Sequence, residues 1–191
     1  MRHFWHDNRG ISSVEFAMVA VAFLIFVFGI VDFGRAMWEW NSAAKATHWG
    51  VRYAIVHNMV APGLYTYDGV AAAGGNGLPI PAGAISPNPV VCTSTGCNGY
   101  NGASGPAAFT AIVTQMQKIY SRVQPQNVVV EYLHVPGLGF AGNPYGPDFV
   151  PVVTVRLQGM VFNLLTPGLL NIASLNMPAF AASMPGEDLN N

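Results

Sequence analysis

The stretch RGISSVEFAMVAVAFLIFVFGIVDFGR, residues 9–35, decides how the rest of the chain is read. From Phe16 to Val31 it holds 16 residues without a charge, and extended back to Ile11 it gives 21 residues whose polar groups are Ser12, Ser13 and Glu15. At 1.5 Å per residue a helix of that length is about 31 Å long, the thickness of a bilayer's hydrocarbon core. A membrane-spanning helix over 11–31 is expected. A cleaved secretory signal would have a shorter apolar region, about 7 to 15 residues, ending in a small-residue site. Here the run is longer and ends in Val31-Asp32-Phe33-Gly34-Arg35, so the helix is expected to be retained.

The composition agrees with that reading. The 191 residues include 8 Lys+Arg and 9 Asp+Glu, 9% charged in all, against about 25% in an ordinary soluble domain. Hydrophobic residues make up 51% and the net charge is -1, which excludes a disordered chain and gives no general attraction to nucleic acid. A free-standing cytosolic enzyme is a poor fit. Charge counting does not orient the helix, because Arg2 and Arg9 stand before it and Arg35 and Lys45 soon after it.

Glu15 is the residue in the run that needs an explanation. An acid inside a spanning helix costs on the order of 2.5 to 3.5 kcal/mol on insertion scales and usually has a function. The plainer account is an acid near a helix start, stabilised by the helix dipole. Its surroundings favour a function: Arg9 and Gly10 precede Ile11, and Glu15 is the fifth residue counted from Ile11.

On these residues, Arg9-Gly10-Ile11-Ser12-Ser13-Val14-Glu15-Phe16, the chain resembles the type IV prepilins. The resemblance implies a leader at 1–10, cleavage between Gly10 and Ile11 by a prepilin peptidase, and a mature chain beginning at Ile11. It also implies that Glu15, next to Phe16, pairs with the new α-amino group of a neighbouring subunit during assembly. Further along stand Gly29-Ile30-Val31-Asp32-Phe33-Gly34-Arg35-Ala36, Ala43-Ala44-Lys45-Ala46 and Gly50-Val51-Arg52-Tyr53-Ala54. With Val14 to Val19, they are similar to the TadE-like family of minor pilins and pseudopilins in tight-adherence (Tad, or Flp) pilus systems. That family often has a proline in the apolar helix; Val21 stands there in this chain, so no proline kink is assumed.

Beyond the membrane the helix is expected to continue over 32–60. Ala36, Ala43, Ala46, Thr47, Gly50 and Ala54 recur on one face, where small side chains let another element approach closely. That face can serve either packing on the chain's own domain or contacts with other subunits. Trp38 and Trp40 suit an interfacial aromatic belt, and Pro62-Gly63 is read as the end of the helix.

Between Ala61 and Pro106, 16 of 46 residues are Gly or Pro, so 61–105 is read as an irregular loop. Cys92 and Cys97 both lie in it, and an even pair in such a loop reads as a short disulfide; half of a metal site is the alternative. Over 106–191 a small domain is expected. It should have a helix from Pro106 to about Arg122 with Phe109, Ile112, Val113, Met116 and Ile119 on its apolar face. Strands are expected over 127–135, 149–158 and 173–184, with Thr166-Pro167-Gly168 as a turn before the last. Pro151 belongs at a strand start or a sheet edge. The fold class is α+β: a long N-terminal transmembrane helix continuing into a small periplasmic domain with one further helix and an antiparallel sheet of about three strands.

No catalytic constellation emerges. His48, His57 and His134 have no ligand spacing, His3 and His6 fall in the leader, and Glu187-Asp188 reads as a solvated tail. No catalytic residue, metal or cofactor is expected. The expected function is assembly, by initiating, priming or capping a Tad-type pilus, with a membrane-anchored periplasmic binding module or a type II secretion pseudopilin as alternatives. The partners implied are the prepilin peptidase, other pilins and pseudopilins, the inner-membrane assembly platform and the lipid bilayer, and not nucleic acid.

Overall fold

A computed structural model describes residues 11–98, 104–165, 174–186 and 189. Its first element is α1, Ile11–Ala54, a single 44-residue helix that passes Val21 without interruption. The chain divides into two compact units. One comprises α1 through Glu39 together with Val161–Asn176; the other comprises Trp40–Met160 with Met177–Asn191.

In the second unit, α1 is one-sided. Ser42, Ala43, Ala46, Thr47, Gly50, Val51 and Ala54 are buried, while Asn41, Lys45, His48, Trp49 and Arg52 are exposed. Steps of one and three residues place the buried set along one stripe of a 3.6-residue helix. The small side chains make the approach close: a Cβ built on Gly50 would lie 2.8 Å from Met116 Cγ and 3.4 Å from Val155 Cγ1. Of the two roles open to this face, packing on its own domain is the one observed for Ala43 to Ala54. The Thr47 hydroxyl donates to the Ala43 carbonyl, so this buried polar group is satisfied within the helix.

The partner surfaces are α4, Pro106–Ile119, and a five-stranded antiparallel sheet. Phe109, Ile112, Val113 and Met116 are the buried side of α4, each contributing roughly 2 kcal/mol of hydrophobic stabilisation. The strands are β1 (Val90–Thr93), β2 (Gly96–Cys97), β3 (Val128–Leu133), β4 (Val152–Leu157) and a last strand, Phe180–Pro185, in the spatial order β2-β1-β3-β4-last. Register explains their alternation. Cys92, Val130, Val155 and Ala182 lie in one row across the sheet, and Val90, Tyr132 and Val153 in another, all buried. On the opposite face Arg156 Nε lies 2.9 Å from Glu131 Oε1, and Thr154 Oγ1 lies 2.8 Å from Ser183 Oγ. Cross-strand polar pairs of this kind suit the wetter side.

Four expectations need correction. The sheet has five strands rather than about three, because β1 and β2 come from the segment read as an irregular loop. That segment also holds two one-turn helices, α2 (Pro62–Tyr65) and α3 (Val70–Ala73), so α4 is not the one further helix. The long helix stops at Ala54, and Pro62 starts α2 at a position where its missing N–H costs nothing. Finally, the stretch read as one last strand is two: β6, Ser174–Asn176, pairs with β5, Val161–Asn163, in a separate ribbon, whereas β7, Phe180–Pro185, completes the large sheet. The Thr166-Pro167-Gly168 turn lies outside the described residues. Pro151 immediately precedes β4, the strand-start position that its sequence context allowed.

Two polar anchors fix the irregular segments. The Tyr132 hydroxyl accepts the Val60 N–H at 2.9 Å, tying the chain after α1 to β3; burial pushes this phenol's pKa far up, which outweighs the opposing hydrogen bond. Asp148 accepts backbone N–H groups from Gly69 at 2.9 Å and Asn143 at 2.8 Å. Burial raises its carboxyl pKa, but hydrogen bonds from Gly142, Gly69 and Asn143 together bring it below the ordinary value. Gly142 and Gly139, at φ +73° and +78°, take the left-handed backbone that this loop requires.

The Gly50 contact can be tested directly. Gly50→Leu places a branched side chain against Met116 and Val155, and should destabilise the detergent-solubilised chain by about 2 kcal/mol in chemical unfolding.

Candidate assembly and membrane-boundary site

The first part of α1 presents apolar side chains all round. Val14, Phe16, Met18, Val19, Val21, Phe23, Leu24 and Phe26 are exposed, Phe16 to 74%. By length and composition the helix can cross a membrane. An apolar surface of this extent has no place in water, since large exposed patches mark lipid or partner contacts. Ile11 is the first residue of α1, and Glu15 stands exposed on the helix surface beside Phe16. Gly10 lies outside the described residues. Ile11 and Glu15 are four residues apart, roughly 6 Å along the axis at 1.5 Å per residue.

At the far end of the run Asp32 makes a contact that the sequence did not announce. It is 3% exposed, and both carboxylate oxygens accept the Leu165 N–H, at 3.0 and 3.1 Å. Arg35 Nη1 lies 3.0 Å from Asp32 Oδ1, one helical step away. The Arg35 guanidinium in turn sits 5.2 Å from the centre of the buried Phe162 ring, a cation–π distance. One carboxylate thus holds a charge-assisted hydrogen bond and an ion pair, and fixes the β5–β6 ribbon to α1. In the sequence Asp32 and Arg35 stand only at the end of the apolar run; the link from Asp32 to Leu165 spans 133 positions in the chain.

Cys92 and Cys97 are joined by a disulfide and are directly opposed in the β1–β2 hairpin. The metal alternative for this pair therefore falls away. Among the described residues no cluster of three or more His, Cys, Asp or Glu could hold a metal ion. An open cavity of about 330 Å³ is lined by Tyr53, His57, Met59, Pro62, Ala108 and Ala111 among others. The His57 ring stacks on Tyr53 with centroids 3.7 Å apart, and its Nδ1 is hydrogen-bonded to the Tyr53 carbonyl. No acid or nucleophile joins it there, so this wall supplies packing rather than an acid–base pair.

His134 is the titratable group of note in the second unit. Its ring is buried 5.5 Å from Phe149, and neither nitrogen has a hydrogen-bond partner among the described residues. Its backbone is held instead: the N–H donates to Asn88 Oδ1 at 2.9 Å and the carbonyl accepts from Asn88 Nδ2 at 3.1 Å. Burial lowers the imidazole pKa below 6.5 by disfavouring the charged form. The unfolded chain therefore binds this proton more readily. The stability that the neutral ring allows is complete above about pH 6.5 and is lost as pH falls through the lower folded value. Thermal unfolding at pH 7.5 and 5.5 should show a smaller acid-side loss for His134→Leu than for the native chain; an equal loss would remove His134 as its source.

No curated protein and no solved structure matches this chain. The family of TadE-like proteins matches residues 10–52. That segment contains Glu15, the whole apolar run, the Asp32–Arg35 pair and Gly50, so it is the N-terminal part of this chain that is similar to TadE-like proteins.

Proposed function

We propose that the chain is a minor pilin or pseudopilin of a Tad-type pilus, acting in assembly by initiating, priming or capping the filament. The observation that carries this reading is the coincidence of the TadE-like match over 10–52 with a helix whose first half is apolar on every side and exposed. In lipid that surface is satisfied; in a filament it is satisfied again by the apolar helices of other pilins. Moving between two dry surroundings changes little hydrophobic free energy, so close packing and polar pairing must select the partner.

Glu15 supplies the polar pairing. A prepilin peptidase cuts between Gly10 and Ile11, and the freed α-amino group of one subunit meets the Glu15 carboxylate of another. A carboxylate that is costly when alone in an apolar surrounding becomes a device that sets helix register. The Cys92–Cys97 disulfide supports a domain on the oxidising, periplasmic side of the inner membrane, since such bonds persist there and are rare in the cytosol. The assembly platform and neighbouring pilins are then the partners.

Mass spectrometry of the chain produced with and without a prepilin peptidase tests the processing step. Loss of residues 1–10 only in the presence of the peptidase is expected, and an intact Met1 under both conditions would overturn it. Glu15→Gln should still insert in the membrane but enter filaments at least about tenfold less, the equivalent of 1.4 kcal/mol in pairing. Equal incorporation of the variant, measured in isolated pili, would remove Glu15 from the mechanism.

A further inference from the structure

Asp32 is the first charge after Glu15, so on the membrane-spanning reading, on which this inference rests, the lipid boundary falls near it. Two contacts give the direction of the β5–β6 ribbon beside the helix. Phe162 lies against Arg35, and Leu165 is held by Asp32. Three residues along the ribbon thus match three residues back along α1, about 4.5 Å toward the apolar run. From Phe162 to Leu165 the chain therefore runs toward the apolar run of α1.

The ribbon is also dressed for it. Leu165 and Leu175 are exposed to 56% and 47%, next to a helix that exposes Phe28, Ile30, Val31 and Phe33. From Leu157 to Gly186 the sequence has 30 residues without a charge. The one buried carboxylate at this level carries an N–H and a guanidinium, so its charge is compensated before it meets a low-dielectric surface.

We propose that the β5–β6 ribbon is a second membrane contact, in which Leu165 and Leu175 enter the headgroup–acyl boundary of the bilayer and Asp32 sets their depth. Lipid rather than protein is the occupant because Leu165, held at the level of Asp32, continues the apolar surface of the spanning helix where that surface ends, and Leu175, paired with Phe162 beside Arg35, is exposed about one helical turn farther out. The helix anchors the chain, and the ribbon fixes how far the helix rises and how it is turned.

The test uses the full chain with its disulfide oxidised, in vesicles of phosphatidylethanolamine and phosphatidylglycerol, with no other pilin and dilute in lipid. Nitroxide labels on single cysteines replace Phe23, Leu165, Leu175 or Tyr145, the last being 96% exposed. Collision with oxygen reports lipid and collision with a nickel chelate reports water. Labels at 165 and 175 are expected to show an oxygen-to-nickel ratio at least about threefold above that at 145, as for groups seated in the boundary region. In Asp32→Ala that ratio should fall toward the value at 145, with the label at 23 unchanged.

Labels at 165 and 175 as wet as at 145, with 23 in lipid, would overturn the ribbon contact and leave the spanning helix standing. A wet label at 23 would overturn the spanning reading itself. Labels at 165 and 175 shielded from both reagents and broadened by a second nitroxide would overturn the lipid assignment in favour of another copy of the chain. Unchanged ribbon depth in Asp32→Ala would overturn the role given to Asp32.

Discussion

The close approach permitted by the small-residue stripe of α1 is the constraint on which the second unit depends. Ala43, Ala46, Gly50 and Ala54 offer little side chain, so Met116 and Val155 reach almost to the helix backbone. Packing at that distance fixes the helix against both α4 and β4, and dispersion contacts fall off steeply with any gap. Larger residues there would hold the layers apart and leave the buried rows of the sheet without a lid. The same helix, some twenty residues earlier, carries bulky side chains on every side. One continuous element therefore meets two surroundings, and its residues change from large and uniform to small and one-sided as it does so.

Charge is so scarce in this chain that its placement is informative. Asp32, Asp148 and the Glu131–Arg156 pair each join segments distant in sequence: helix to ribbon, loop to loop, strand to strand. Asp148 and Asp32 both work by accepting backbone N–H groups, which satisfies irregular chain that no ladder can satisfy. With few charges, the second unit relies on Tyr132, Asn88 and Asn127 side chains for the same task. His134 is the exception, buried with both ring nitrogens unpaired among the described residues.

Much of this was legible in the chain because hydrophobic period is a local signal. The apolar run, the stripe from Ala43 to Ala54, the face of α4 and the alternation in β3 and β4 could all be read from neighbours in sequence. The cysteine pair was legible for a similar reason, five positions apart in a segment of turns. What escaped was decided at a distance. β1 is four residues between Pro89 and a turn, and it becomes a strand because Val90 to Cys92 pair with Tyr132 to Val130. The end of the sequence was read as one strand because nothing local shows that Ser174–Asn176 pairs with Val161–Asn163 while Phe180–Pro185 pairs with β4. Asp32's hold on Leu165 had no local signal at all.

The disulfide-closed hairpin has a consequence for how copies of the chain can associate. β2 is two residues long and forms one edge of the sheet, so that edge offers almost no ladder for an added strand. At the other edge β7 ends in Pro185, which has no N–H, and Pro178 stands just before it. A sheet with one edge shortened and the other bounded by prolines is poorly suited to growing across molecules by backbone pairing. Copies of such a domain can lie side by side without their sheets templating one another, which leaves any order between copies to surfaces other than the sheet edges.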